Sequence, residues 1–133
     1  YFTYGMHFCS NVVNGTDGVG SAVLLRAAEP LDGLDAMAER RGVEAPRLLC
    51  SGPGRLTQAL GIARPENGVD LVRAGALHLR SGEPVAGGRI GRSTRVGVND
   101  GAERRWRFYE RGSAFVSPGR PSVPRTIRGS RRS

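Results

Sequence analysis

The sequence predicts a mixed α+β fold in one domain. Three observations point there: β-type patterning at both ends of the chain, two segments of helical spacing between them, and a length of 133 residues. That length suits one modest core and excludes two domains. Apolar residues make up 38% of the chain, enough for such a core.

Taken in order, residues 1–13 carry aromatic and β-branched side chains at close spacing and read as a strand. NGTDG at 14–18 is a turn cluster that closes a hairpin-like connection. A buried strand is expected through Ala22–Leu25, ending near Arg26. Pro30 suits a first helical turn, and Leu31, Leu34, Met37 and Ala38 fall at helical spacing, with Arg40 and Arg41 near the C-terminus and Gly42 as a stop. In CSGPGRLTQALGI, Ser51, Gly52 and Pro53 precede Leu56, Ala59 and Leu60, the pattern of a capped short helix. One more turn is expected from Asp70–Val72 and a short strand at Ala76–Leu79. Residues 81–94, rich in Gly, Ser and Arg, predict a loop. TRVGV at 94–98 and WRFYERGSAFVS at 106–117 predict two strands joined through NDG at 99–101.

The formal charge is +8, from 20 basic residues against 12 acids, and all 20 are arginine. Its location matters more than its size. Residues 1–103 hold 11 arginines and 11 acids, whereas residues 104–133 hold 9 arginines and Glu110 alone. A uniformly basic, histone-like chain is excluded, and the excess points to a polyanionic partner. After Pro118 the chain has five arginines and no acid, with only Val123 and Ile127 as sizeable apolar side chains. This predicts a domain over residues 1–117 and a disordered basic tail over 118–133.

Two cysteines, Cys9 and Cys50, fit neither a disulfide scaffold nor a CxxC zinc site, so a reducing, cytoplasmic setting is expected. No apolar run approaches the roughly 20 residues that span a bilayer, and no membrane partner is expected. The opening YFTYGMHFCSN has no basic n-region and no small-residue cleavage site, so it does not read as a signal peptide. It reads as the middle of a strand, with the expectation that further residues precede it.

Four groups of residues are candidates for chemistry. Tyr1, Tyr4, His7 and Phe8 lie within eight residues. On one strand, Tyr1, Thr3 and Gly5 would face one way and Phe2, Tyr4 and Met6 the other. Core packing and a surface for stacking on extruded bases both fit that pattern, and Gly5 beside Tyr4 would let backbone approach a ligand. His7 and Asn11 are polar neighbours that serve equally as structural residues. Arg26, at the end of an apolar strand, either pairs with Glu29 or presents its donor fork to an anion or a water. The Gly52–Pro53–Gly54 segment lacks the pattern of a nucleotide loop, although a helix N-terminus there, with Arg55, suits a phosphate. No GxSxG segment is present, and His7 and His78 have no triad partners.

Together these residues resemble the alkyladenine, or 3-methyladenine, DNA glycosylase family. Four blocks match in order: YxxYGMxFCxN at Tyr1–Asn11, VLLRAxEPLxG at Val23–Gly33, LCSGPxxLxQALxI at Leu49–Ile62, and RVGV followed by WRFYxRGSxFVS from Arg95 to Ser117. Any one block is weak, while the first three in order are quite specific. The resemblance implies a single mixed domain around a curved antiparallel sheet, with short helices. That domain would bind duplex DNA as a monomer and flip a damaged purine from the minor groove into a pocket. It further implies that Tyr4 is the wedge filling the vacated base position and that Tyr1 stacks on the extruded base. His7 would help form the pocket wall, and Asn11 would exclude purines with an exocyclic amine. Arg26 and the Val96 carbonyl would hold the attacking water, and Met6 and Arg55 would contact DNA.

The family's general base, a glutamate in an ExEAY-type segment, matches no block here. Asp17 lies in the predicted turn and Glu29 in the RAxEPL block. The resemblance therefore implies an N-terminally truncated, inactive piece of a base-excision repair enzyme, bacterial and associated with the nucleoid through its DNA. Hydrolysis would proceed without metal or cofactor. A lyase route is disfavoured, because an imine needs an amine and the chain has no lysine. The alternatives are a non-enzymatic nucleic-acid-binding module on the same scaffold and a structural domain with no nucleic-acid role.

Overall fold

The computed structural model describes residues 2–3, 7–14 and 20–119. It divides into two compact units, Tyr1–Pro84 with Ser113–Pro118, and Val85–Gly112 with Gly119–Ser133. The α+β class holds. In the first unit, strands β1 (Phe2–Thr3), β2 (His7–Phe8), β3 (Asn11–Asn14) and β4 (Ser21–Leu24) precede helices α1 (Leu34–Arg41), α2 (Pro46–Leu49) and α3 (Pro53–Leu60). In the second, β5 (Ile90–Ser93) pairs with β6 (Arg107–Glu110). The described strands form three two-stranded antiparallel ladders, β1–β2, β3–β4 and β5–β6.

The turn cluster after Asn14 joins β3 to β4 as expected, with Asn14 opposite Ser21 and Asn11 opposite Leu24. The Ser21 hydroxyl lies 2.7 Å from Asn14 Oδ1 and 2.9 Å from the Asn14 carbonyl, which ties the turn end of the ladder. Two expectations are corrected here. Residues 1–13 are not one strand: Phe2 pairs with Phe8 and Thr3 with His7, so alternation over two faces does not run through the segment. Nor is β4 buried, since Val23 is 52% exposed and Val13 on the paired strand, opposite Ala22, is 79% exposed. The physical reason is that β3 is the only strand paired with it among the described residues.

The core of the first unit is Met37, Leu49, Cys50, Leu56 and Ala59, with Leu25, Leu34, Ala38 and Val43 packed against it. Burying a leucine such as Leu49 contributes about 2 kcal/mol. α1 begins at Leu34 and not at Pro30, and Leu31, which helical spacing would place on the inner face, is largely exposed. Its end is as expected: Gly42 adopts φ 68°, which favours glycine, and its N–H donates to the Ala38 carbonyl at 2.7 Å. α3 stops the same way at Gly61, φ 67°.

Arginines sew the helices together at their C-terminal ends, where carbonyls lack helical partners. Arg41 Nε donates to the Leu49 carbonyl at 2.9 Å and Nη2 to the Leu48 carbonyl at 3.1 Å, while Nη1 donates to Gln58 Oε1 at 3.0 Å. Arg40 Nε donates to the Ala59 carbonyl at 2.7 Å, and Gln58 Nε2 returns a bond to the Arg40 carbonyl at 3.0 Å. One guanidinium fork thereby fixes α1 to both α2 and α3.

Three further expectations are corrected. No helical turn starts at Asp70, whose carboxylate instead accepts the Val72 N–H at 2.9 Å in a local turn. Ala76–Leu79 is not a strand; its Leu79 N–H bonds the Leu71 carbonyl across an irregular loop. The strand placed at 94–98 lies at Ile90–Ser93, and its partner spans Arg107–Glu110 in place of 106–117. The NDG turn between them is present.

Candidate nucleic-acid site

The β3–β4 ladder and α3 position the residues that the sequence singled out in the first unit. Asn11 opens β3, half-buried, and the ladder is extended by one bond from the Leu25 N–H to the Ser10 carbonyl at 3.0 Å. Among the described residues, Asn11 Nδ2 and Ser10 Oγ are buried without a hydrogen-bond partner. Leaving a buried donor unsatisfied costs on the order of 1–3 kcal/mol. A donor kept in that condition is suited to a ligand.

Arg26 leaves the ladder just after Leu25. Its Nε donates to Ser117 Oγ at 3.4 Å, a contact across 91 positions of sequence, and Ser117 is buried. Glu29, the partner weighed from the sequence, makes no ion pair with it among the described residues.

Behind β2 stands Thr57. Its hydroxyl lies 2.7 Å from the Phe8 carbonyl and 3.0 Å from the Gly54 carbonyl. With a single proton it donates to one, and the shorter distance favours Phe8, so the buried face of α3 braces the strand that carries His7. Sequence reasoning passed over Thr57. The available signal was a polar residue beside Leu56 inside an apolar helical stripe. Ser117 gave no local signal at all, because its partner is distant in sequence.

At the start of α3, Arg55 Nη1 donates to Ser51 Oγ at 3.0 Å, and Ser51 in turn donates to the Leu48 carbonyl at 3.3 Å. Arg55 is thus exposed and held over the helix N-terminus, where its charge is available to an anion. Beside it, burial pushes the Cys50 thiol pKa up, and the Arg41 guanidinium opposes this more weakly. Arg41 itself is lowered, first by burial and then by Arg55. Both cysteines are buried.

The remaining candidates are distributed as follows. His7 sits in β2 opposite Thr3. Tyr1, Tyr4 and Met6 lie outside the described residues. Val96 belongs to the second unit, half-buried at an isolated bridge between the β5 strand and the NDG turn. Among the described residues no group of three or more His, Cys, Asp or Glu could hold a metal ion, and no helix is long and apolar enough to cross a membrane.

Comparison with known proteins places these residues in context. Residues 1–114 match the family model for methylpurine-DNA glycosylase. A relative from Carboxydothermus hydrogenoformans, named "Putative 3-methyladenine DNA glycosylase", is 47% identical over 117 residues, covering 88% of this chain and 61% of its own length. Proteins of the same name from Methanoculleus marisnigri and Chlorobaculum parvum are 51% identical over 120 residues and 42% identical over 131, covering 88% and 98% of this chain. The chain spans about three-fifths of the length of these relatives, 61% and 62% in the first two. Across nearly all its residues before the C-terminal arginine-rich stretch, the chain belongs to the methylpurine-DNA glycosylase family.

Proposed function

We propose that the protein is a monofunctional DNA glycosylase of base-excision repair, acting as a monomer on duplex DNA that contains alkylated or deaminated purines. The observation that carries this reading is the buried Asn11 amide, whose Nδ2 has no partner among the described residues of a chain in this family. A donor fixed in a base pocket repels the 2-amino group of guanine, itself a donor, and tolerates hypoxanthine, which has hydrogen there. Discrimination would thus rest on a mismatch of donors.

On this reading Tyr4 wedges into the space left by the flipped nucleotide, and Tyr1 and His7 contact the base. Met6 and Arg55 hold the DNA, and Arg26 with the Val96 carbonyl positions the water. The water oxygen bonds to C1′ as the N-glycosidic bond breaks through an oxocarbenium-like transition state. The bonding pair leaves with the base, the water proton passes to a general base, and the products are free base and an abasic site. Both the aromatic wedge and the pocket lower the cost of unstacking, which is a few kcal/mol and least for a damaged or mispaired base. The family's general-base glutamate matches no block of these 133 residues, and on this reading the chain alone is inactive. Residues 118–133 add salt-sensitive attraction to DNA without base selection.

The test is excision from duplexes carrying one hypoxanthine, one 3-methyladenine or an undamaged guanine, using the whole protein. Asn11→Ala should raise guanine excision relative to hypoxanthine by about tenfold, the equivalent of one lost discriminating contact. An unchanged ratio removes Asn11 from the pocket. Excision by the 133-residue chain at the whole protein's rate would overturn the placement of the general base.

A further inference from the structure

The second unit carries a charge pattern that the pocket does not use. Across Val85–Gly112 there are seven arginines against Asp100, Glu103 and Glu110. Among the described residues two of the seven are seen in ion pairs, Arg89 with Glu110 at 2.6 Å and Arg104 more loosely with Glu103 at 3.7 Å. Arg111 Nη1 donates to the Gly88 carbonyl at 3.3 Å, and three others are also held by backbone carbonyls. Arg92 Nη2 donates to the Arg105 carbonyl at 3.3 Å and Arg105 Nη2 to the Arg92 carbonyl at 2.8 Å, a reciprocal pair across the hairpin, while Arg95 Nη2 donates to the Asp100 carbonyl at 2.7 Å. A carbonyl orients a guanidinium and leaves its charge uncompensated.

Three of these arginines lie over aromatic rings. Arg92 stands 5.0 Å from the centroid of Phe108, its ladder partner, and Arg104 and Arg95 stand 4.4 and 5.4 Å from that of Trp106. Trp106 and Phe108 alternate onto one side of β6 and are 53% and 61% exposed. Contact with a ring occupies the face of a guanidinium and leaves its N–H edges for an acceptor. Exposed rings of this size do not stabilise the unit by burial. They serve as rigid supports for three cations, Arg92, Arg95 and Arg104.

We propose that this side of hairpin β5–β6, with Arg92, Arg95 and Arg104 supported on Phe108 and Trp106 and Arg105 held by the Arg92 carbonyl, binds the sugar–phosphate backbone of DNA. Charge complementarity selects the occupant: a row of oriented, largely uncompensated guanidinium groups matches a row of phosphates. The surface goes beyond base excision, because it acts on undamaged strands and without reference to the flipped nucleotide.

Trp106 is the chain's one tryptophan and reports on the surface directly. Titrating the full chain with an undamaged 20-base-pair duplex at several salt concentrations should change Trp106 fluorescence and give a linear dependence of log affinity on log salt. The combined variant Arg92→Gln, Arg104→Gln and Arg105→Gln should bind at least tenfold more weakly at about 0.1 M salt and lower that slope by about 2–3, one for each lost phosphate contact. Arg105→Gln alone should lower it by about 1, which keeps the test open if the combined variant does not fold. An unchanged slope in both variants overturns the proposal, as does a Trp106 signal that ignores DNA. Equal affinity for heparin of matched charge overturns the assignment to DNA. Retention of the slope and the Trp106 response without excision by the whole protein would fail the glycosylase reading alone, so the two failures are told apart.

Discussion

The ring of Tyr109 covers Gly91, its partner across the β5–β6 ladder, so closely that a Cβ built at Gly91 would sit inside Cε2 and Cζ of the ring. Gly91 is buried at an ordinary strand position, and the Tyr109 ring, with the Arg107 guanidinium 5.0 Å from its centroid, takes the place of the missing side chain. Gly91→Ala should therefore displace Tyr109 and cost about 1–3 kcal/mol, the range for overpacking. Urea unfolding of Gly91→Ala, Tyr109→Ala and the double variant measures it. The two single costs should not add, since the second change removes the clash made by the first.

Arg41 offers a second test. Its fork satisfies the carbonyls of Leu48 and Leu49 and the Gln58 amide oxygen at once. Arg41→Met is expected to lower stability by about 1–2 kcal/mol, because the part-buried Leu49 carbonyl loses a charged donor while the bonds to Leu48 and Gln58 are exposed. Arg41→Lys should recover less than half, since one ammonium on a flexible stem does not reproduce a planar fork. The midpoint of urea unfolding reads both.

Thr57→Val keeps the shape of a fully buried side chain and removes the bond to the Phe8 carbonyl. A loss of about 1–2 kcal/mol is expected. Thr57→Ser, which retains the hydroxyl, should lose less than Thr57→Val. Faster amide exchange at the β2 residues in Thr57→Val would locate the effect in the brace.

Cys50 carries a pH dependence of definite sign. Burial raises its pKa in the folded chain, so above the ordinary thiol range the unfolded thiol ionises while the folded one still holds its proton. The folded state then binds more protons, and its stability falls as pH rises. The contribution is fully present below about pH 8 and is lost from there toward the raised folded value. Unfolding free energies of the wild type and Cys50→Ala from pH 7 to pH 10 should converge on the alkaline side. Reaction of Cys50 with a thiol reagent at neutral pH should be slow in the folded chain and fast in urea.

What the sequence disclosed was what local chemistry decides. Gly42 marks a helix end because it takes a left-handed conformation, and the turn cluster after Asn14 marks a hairpin. α2, from Pro46 to Leu49, is too short to show a period, so it went unread. β5 was hidden because Gly91, Arg92 and Ser93 look like loop in composition, although Gly91 is demanded by Tyr109. The strand at residues 1–13 was over-extended, since apolar spacing does not report where a chain reverses. In the candidate site, Asn11 and Arg26 could be named from a family pattern, whereas Thr57 and Ser117, which hold their surroundings, are visible only through contacts at long range.

Ser117 has a consequence for how the chain assembles. The first unit takes in Tyr1–Pro84 and then Ser113–Pro118, so its last contacts come from residues made after the second unit's hairpin. On the ribosome, the bond from Arg26 to Ser117 cannot form until the intervening segment has emerged. The helical core, built from contacts close in sequence, can order first, and the clasp closes late, as expected for contacts of high sequence separation. Proteins cut short before Ser113 should keep the helices and lose the restraint on Arg26, which couples the completeness of synthesis to the geometry of a residue laid down near its beginning.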